Sequence, residues 1–210
     1  MNKNILIIIK GLIHPSLLAK VTFKAMLLTM EKKVNYTVKS SIKDLQLLNR
    51  GTFDAVILYY HLKEIDDFSL HALIKFAEEG GGVLVLHSAM ASFKNNPKYK
   101  EFVGGRFREH GRIEKVNIFP TDITHPVTNS IKSFSVRDEL YIHDYDKDNT
   151  ILMTANNKGV DEPALWVKEY GSGRICYFAP GHCANVWLNG EVRIIINNAL
   201  GWLTKAGEKI

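Results

Sequence analysis

Cysteine is nearly missing from this chain: Cys176 and Cys183 are the only two in 210 residues, too few for a disulfide framework and not spaced as a CxxC metal or redox motif. That excludes a stapled secreted scaffold and fits a reducing cytosol. Long apolar runs are missing too. None approaches the ~18 residues of a membrane span. The opening "MNKNILIIIKG" has no small-residue cleavage site after its short apolar run, so it reads as a first strand, not a leader. Charge of one sign is not concentrated either. The net charge is +5, but lysine and arginine are scattered, whereas a nucleic-acid footprint needs a stripe on one face. Repeats, linkers and low-complexity tracts are absent. The expectation is a soluble cytoplasmic protein that binds neither membrane nor nucleic acid.

What is present is an ordinary globular composition, 46% hydrophobic and 23% charged, over a length that suits one domain spanning 1–210. A strand over Ile5 to Ile9 leads to a helix in which Leu17, Leu18, Val21, Ala25 and Leu28 recur at helical spacing and Ser16 stands where an N-cap belongs. "NYTVKSS" reads as a second strand, with Ser41 capping a short helix, and "FDAVILYYH" as a third. "DDFSLHALIKFAEEGGG" is an amphipathic helix with an acidic first turn and a glycine stop. It runs into the apolar "VLVL" of Val83 to Leu86. Continuous apolar strands alternating with helices predict a parallel sheet covered on both faces. After about residue 111, "EKVNIFP", "ELYIHDY", "ILMTANN", "PALWVKEY" and "RICYFAP" follow closely, and "YGSGR" marks a hairpin. The second half therefore adds antiparallel strands to the sheet or lays a flap over it, and "EVRIIINNALGWLTK" closes the fold as a helix.

Ligands of an open parallel sheet bind beyond the carboxyl ends of its strands. His14, Tyr60 with His61, His87 with Ser88, and His182 all stand just past predicted strand ends. Imidazole is both a common general acid-base and a common metal ligand near neutral pH, so His14, His87 and His182 at one rim suggest a shared site. His61 and His71 read as structural or solvated. Ser88 sits where an elbow would expose a nucleophile, but it lacks the glycine frame of G-x-S-x-G, so capping is its expected role. "EFVGGRFREHGR" offers Arg106 and His110 to an anionic or polar ligand, or is simply a basic loop. In "RDELYIHDY", strand alternation would put Glu139 and Tyr141 on one face. Trp187 either walls a pocket or packs in the core.

Taken together, "GGGVLVLHSA", "FVGGRFREH", "THPVTNSIKSFSVRDELY", "PALWVKEYGSGRICYFAPGH" and "NNALGWL" resemble the ThuA-like proteins, named after trehalose utilisation, over residues 5 to 204. The resemblance implies the class I glutamine amidotransferase-like superfamily: a flavodoxin-like three-layer α/β sandwich with a mostly parallel central sheet. The superfamily's amidotransferases place a cysteine at the elbow, where this chain has His87, so glutamine hydrolysis should be absent. It further implies sugar catabolism, beside dehydrogenases that make 3-keto-glycosides, and a divalent metal in some members. The residues carried over by motif are His14, His87, His110, Glu139 and His182.

Two readings follow. One is an enzyme acting on a sugar or 3-keto-sugar derivative, with His87, His182 and Glu139 catalytic and with His14, Tyr60, His110, Arg106 and Trp187 lining the substrate site. The other is a non-catalytic sugar-binding or regulatory module on the same fold. A cofactor is open, and the histidines and carboxylate would suit zinc or another first-row divalent ion. A homodimer is the base-rate expectation for the assembly.

Overall fold

The structure is a computed structural model that describes residues 2–11, 15–30 and 34–205. The first half alternates β1 (Lys3–Lys10), α1 (Leu17–Leu28), β2 (Val34–Lys39), a 3-10 turn (Ile42–Leu47), β3 (Ala55–Tyr60), α2 (Asp67–Glu78) and β4 (Gly82–Leu86). The caps are those the side chains invite. Ser16 accepts from the Ala19 amide, Asp66 from the Ser69 amide, and Ser41 and Asp44 form a reciprocal capping box. Every residue of β3 and β4 is buried, which is why both read as unbroken apolar runs.

The second half runs through α3 (Pro97–Val103), β5 (Gly105–His110), β6 (Glu114–Pro120), β7 (Phe134–Asp138), β8 (Tyr141–Tyr145), β9 (Thr150–Asn157), β10 (Val160–Tyr170), β11 (Gly173–Phe178), α4 (Ala184–Leu188) and α5 (Gly190–Leu203). Among the described residues, nine strands form one sheet in the order β2-β1-β3-β4-β11-β10-β9-β6-β7. The first five are parallel and the last four antiparallel. Both alternatives for the second half are realised, because β5 and β8 pair separately as a two-stranded ribbon. The basic segment around Arg106 is thus a strand, not a loop.

Alternation along the strands feeds two cores. Ile5, Ile7 and Ile9 pack with Phe23 of α1, Trp187 of α4 and Ile195 of α5, while Leu6 and Ile8 pack with Leu73 of α2 and Phe102 of α3. Helices therefore cover both faces of the sheet. The helix expected from the spacing of Leu17, Leu18, Val21, Ala25 and Leu28 is present, and those residues form its exposed side, whereas Ala19, Phe23, Met26 and Leu27 are the buried side. The Phe23 ring decides the orientation, since it fills the space against Tyr59 and Trp187.

Candidate functional site

β4 and β11 are parallel neighbours, so the residues that follow them emerge side by side at one rim. His87 opens a 3-10 turn directly after β4, with φ at +43°, and is fully buried. A non-glycine residue in that region costs on the order of 1–3 kcal/mol and persists only where its surroundings hold it. Here they do. Nδ1 lies 2.8 Å from the Ala179 carbonyl oxygen, which can only accept, so Nδ1 carries the proton. In the neutral imidazole Nε2 then keeps its lone pair and accepts from the Tyr141 hydroxyl, 3.0 Å away. Ser88 does not cap the turn: its hydroxyl is buried without a hydrogen bond among the described residues, and Ser92 instead donates to the Ser88 carbonyl at 3.1 Å.

The loop after β11 is held by a carboxylate. Asp138, the last residue of β7, accepts from the backbone amides of Gly181 at 2.6 Å, His182 at 3.3 Å and Cys183 at 3.1 Å. Burial pushes its acid up to about 7 against those hydrogen bonds. From the other side, Tyr59 donates to the Gly181 carbonyl at 2.5 Å and receives the Trp187 indole N–H at 3.1 Å. The loop fits because Gly181 has no side chain. A Cβ there would lie 2.7 Å from the Cβ of His87 and 3.0 Å from the Trp187 ring.

Glu139 follows Asp138, where the chain bends from β7 into β8. Its Oε1 lies 3.5 Å from Nδ1 of His182 and 3.6 Å from Nδ1 of His110, and its Oε2 lies 3.8 Å from Nε2 of His87. The carboxylate is buried, and Oε2 makes no hydrogen bond among the described residues. Burial pushes the acid up, while His182 and His110 pull it down. Tyr141, two residues on, packs its ring 4.3 Å from that of His87 and 4.4 Å from that of Phe107 on β5. Bringing β5 against β8 also carries His110 to the same carboxylate.

The structure therefore gathers His87, His110, Glu139 and His182, and it adds Asp138, Tyr141 and Gly181 as the groups that hold them. Ligand atoms of His87, Glu139 and His182 all lie within 4.8 Å of one another. Two histidines and a carboxylate are a donor set that first-row divalent ions accept, and Oε2 of Glu139, without a hydrogen bond among the described residues, fits that use. Three other predicted residues do not reach the Glu139 carboxylate, although Trp187 backs the loop that carries His182. Tyr60 is fully buried in the core beneath α2, Trp187 is buried against Phe23 and Tyr59, and Arg106 pairs with Asp144 at 2.7 Å on the surface of the ribbon. His14 lies outside the described residues.

Comparisons with known proteins agree on what this arrangement belongs to. A ThuA-like protein from Bacteroides uniformis superposes with a TM-score of 0.77 at 20% identity, covering 96% of this chain and 91% of that one. A second, from Parabacteroides merdae, gives 0.76 at 18%, covering 100% and 92%. A protein from Salmonella typhimurium LT2 described as cytoplasmic gives 0.70 at 13%, covering 95% and 99%. At these identities the likeness is one of fold. No protein of curated description matches the sequence. The family model described as trehalose utilisation matches residues 4–203, and the chain belongs to that family, ThuA.

Proposed function

We propose that this protein is an enzyme of sugar catabolism that removes or delivers a proton beside the carbonyl of a keto-sugar, with His87, Glu139 and His182 as its catalytic groups. The observation that carries the reading is the Glu139 carboxylate: buried, set 3.5–3.8 Å from three imidazoles, and with an oxygen that makes no hydrogen bond among the described residues. Leaving such a group unmatched costs stability unless something else uses it. The family's link to trehalose utilisation supports the substrate class. The order of the five parallel strands supports a flavodoxin-like scaffold. The Salmonella protein described as cytoplasmic supports the same location for this chain. Among the described residues, no helix is long and apolar enough to cross a membrane.

The roles follow from the hydrogen bonds. Nδ1–H of His87 is pinned to the Ala179 carbonyl, so Nε2 is the nitrogen able to accept the carbon-bound proton. The bond's electron pair passes to the carbonyl oxygen as an enolate, and the carboxylate of Glu139 stabilises the imidazolium left behind. Tyr141, which donates to the resting base, can turn its hydroxyl to that oxygen. A divalent ion held by His87, Glu139 and His182 would take the Nε2 lone pair and supply a Lewis acid for the carbonyl oxygen in place of that base. His110, beside Glu139, would then be the histidine left to move the proton.

Turnover of a 3-keto-glycoside by the wild-type protein, His87→Ala and His182→Ala, followed by NMR with metal content measured by elemental analysis, tests this reading. Each substitution should lower the rate about a hundredfold to ten-thousandfold. Unchanged turnover in both variants sinks the proposal. Sugar binding without turnover by the wild type would identify a binding module instead.

A further inference from the structure

α1 is apolar on two sides, and only one of them is covered. Its inner side packs Phe23, Met26 and Leu27 into the core. Its outer side leaves Leu17 71%, Leu18 64%, Val21 54% and Leu28 83% exposed, and Leu188, at the end of the adjoining α4, is 74% exposed. Lys20 and Lys24 stand on one flank between the two sides, so the outer stripe is an apolar strip bordered by charge. The four on α1 share one stripe and Leu188 belongs to a helix in contact with it; together they expose roughly 600 Å², close to the ~800 Å² that each partner contributes to a standard interface.

We infer that this face is the interface between two copies of the chain, related by a twofold axis that packs α1 against α1. The spacing selects a helix as the occupant. Leu18, Val21, Ala25 and Leu28 recur at intervals of three and four, the seam that a second helix packs into. Run antiparallel, Leu18 faces Leu28 of the second copy and Val21 faces Ala25, each pair made twice, the self-pairing that an isologous contact requires. A lipid surface suits the helix less well. Helices that lie in membrane interfaces carry a polar, lysine-rich side opposite the apolar one, whereas the side of α1 opposite the stripe is core. The contact would also buttress the rim, because Phe23 of α1 packs 4.8 Å from Trp187, whose indole holds Tyr59 on the Gly181 carbonyl.

Light scattering coupled to size exclusion tests the interface on the full chain. The expected mass is twice the 23.8 kDa of one copy. Leu18→Glu and Leu28→Glu change exposed positions, so circular dichroism should stay that of the wild type while the dimer dissociation constant rises about thirtyfold or more. Phe68→Glu, at an equally exposed apolar position on α2, should leave the dimer intact. A wild type that stays monomeric at high concentration overturns the inference, as does a dimer that survives both α1 substitutions. A monomer that floats with anionic phosphatidylserine vesicles, and loses them in Leu18→Glu, assigns the face to lipid instead.

Discussion

Gly181 is the residue on which the site closes, and its role is spatial. Its φ is not left-handed, but the atoms that a methyl group on it would meet first belong to two side chains that cannot retreat. His87 is locked between the Ala179 carbonyl and Tyr141, and Trp187 is wedged between Phe23 and Tyr59. Gly181→Ala should therefore displace the loop and the His182 it carries, and destabilise the fold by about 1–3 kcal/mol, the usual range for overpacking. Gly190 provides the comparison, since it opens α5 with nothing within 4 Å of a Cβ. Urea unfolding should place Gly190→Ala at or above the wild-type midpoint and Gly181→Ala well below it. Equal midpoints for the two variants would mean that the loop has room it does not display.

β8 carries two aromatic-histidine pairs, and only one of them faces the rim. Tyr141 meets His87, while His143 lies buried with Nε2 2.9 Å from the Tyr177 hydroxyl and Nδ1 3.6 Å from Glu162. Burial lowers the pKa of His143, and Glu162 offsets that only in part. A histidine depressed in the fold is neutral there while the unfolded chain takes up a proton near pH 6.5. Its contribution is complete above that pH and is lost as pH falls toward the folded value. The stability difference between pH 7.5 and 5.5 should narrow in His143→Gln, measured by urea unfolding at both. A difference of the same size in both proteins would show that His143 is not the buried neutral group.

Elements differ in how plainly their residues announce them. α2 is legible because cap, acidic first turn, apolar stripe and glycine stop all agree. α1 is legible in extent but not in orientation, because a helix with two apolar sides gives periodicity no way to choose between them. β5 and β7 are obscure for another reason. Each buries only part of one face, and "GRFREH" and "FSVRD" carry charge on the other. At the site, His87 and His182 are legible because each follows an apolar strand. Their convergence with Glu139 is not, because β7 lies at the far edge of the sheet and only the bend into β8 returns the carboxylate to the rim.

At the scale of the whole molecule, that return is what ties the chain together. His87 and His182 follow the central parallel strands β4 and β11, whereas Glu139 and Asp138 belong to the antiparallel half, five places along the sheet from β4. Any ligand held by all three of His87, Glu139 and His182 binds only when both halves are in place, so its binding energy becomes folding energy. At a hundred times its dissociation constant such a ligand adds about 2.7 kcal/mol, which for a chain of this size raises the melting temperature by roughly 5–10 °C. Zinc, manganese or nickel titrated into chelator-treated protein should produce that rise, and EDTA should reverse it. Glu139→Gln should abolish it, since a neutral amide cannot replace the carboxylate that draws a cation between two imidazoles. A melting temperature indifferent to every ion, in a protein that still turns over its keto-sugar, would leave His87, Glu139 and His182 as an acid-base triad that works without metal.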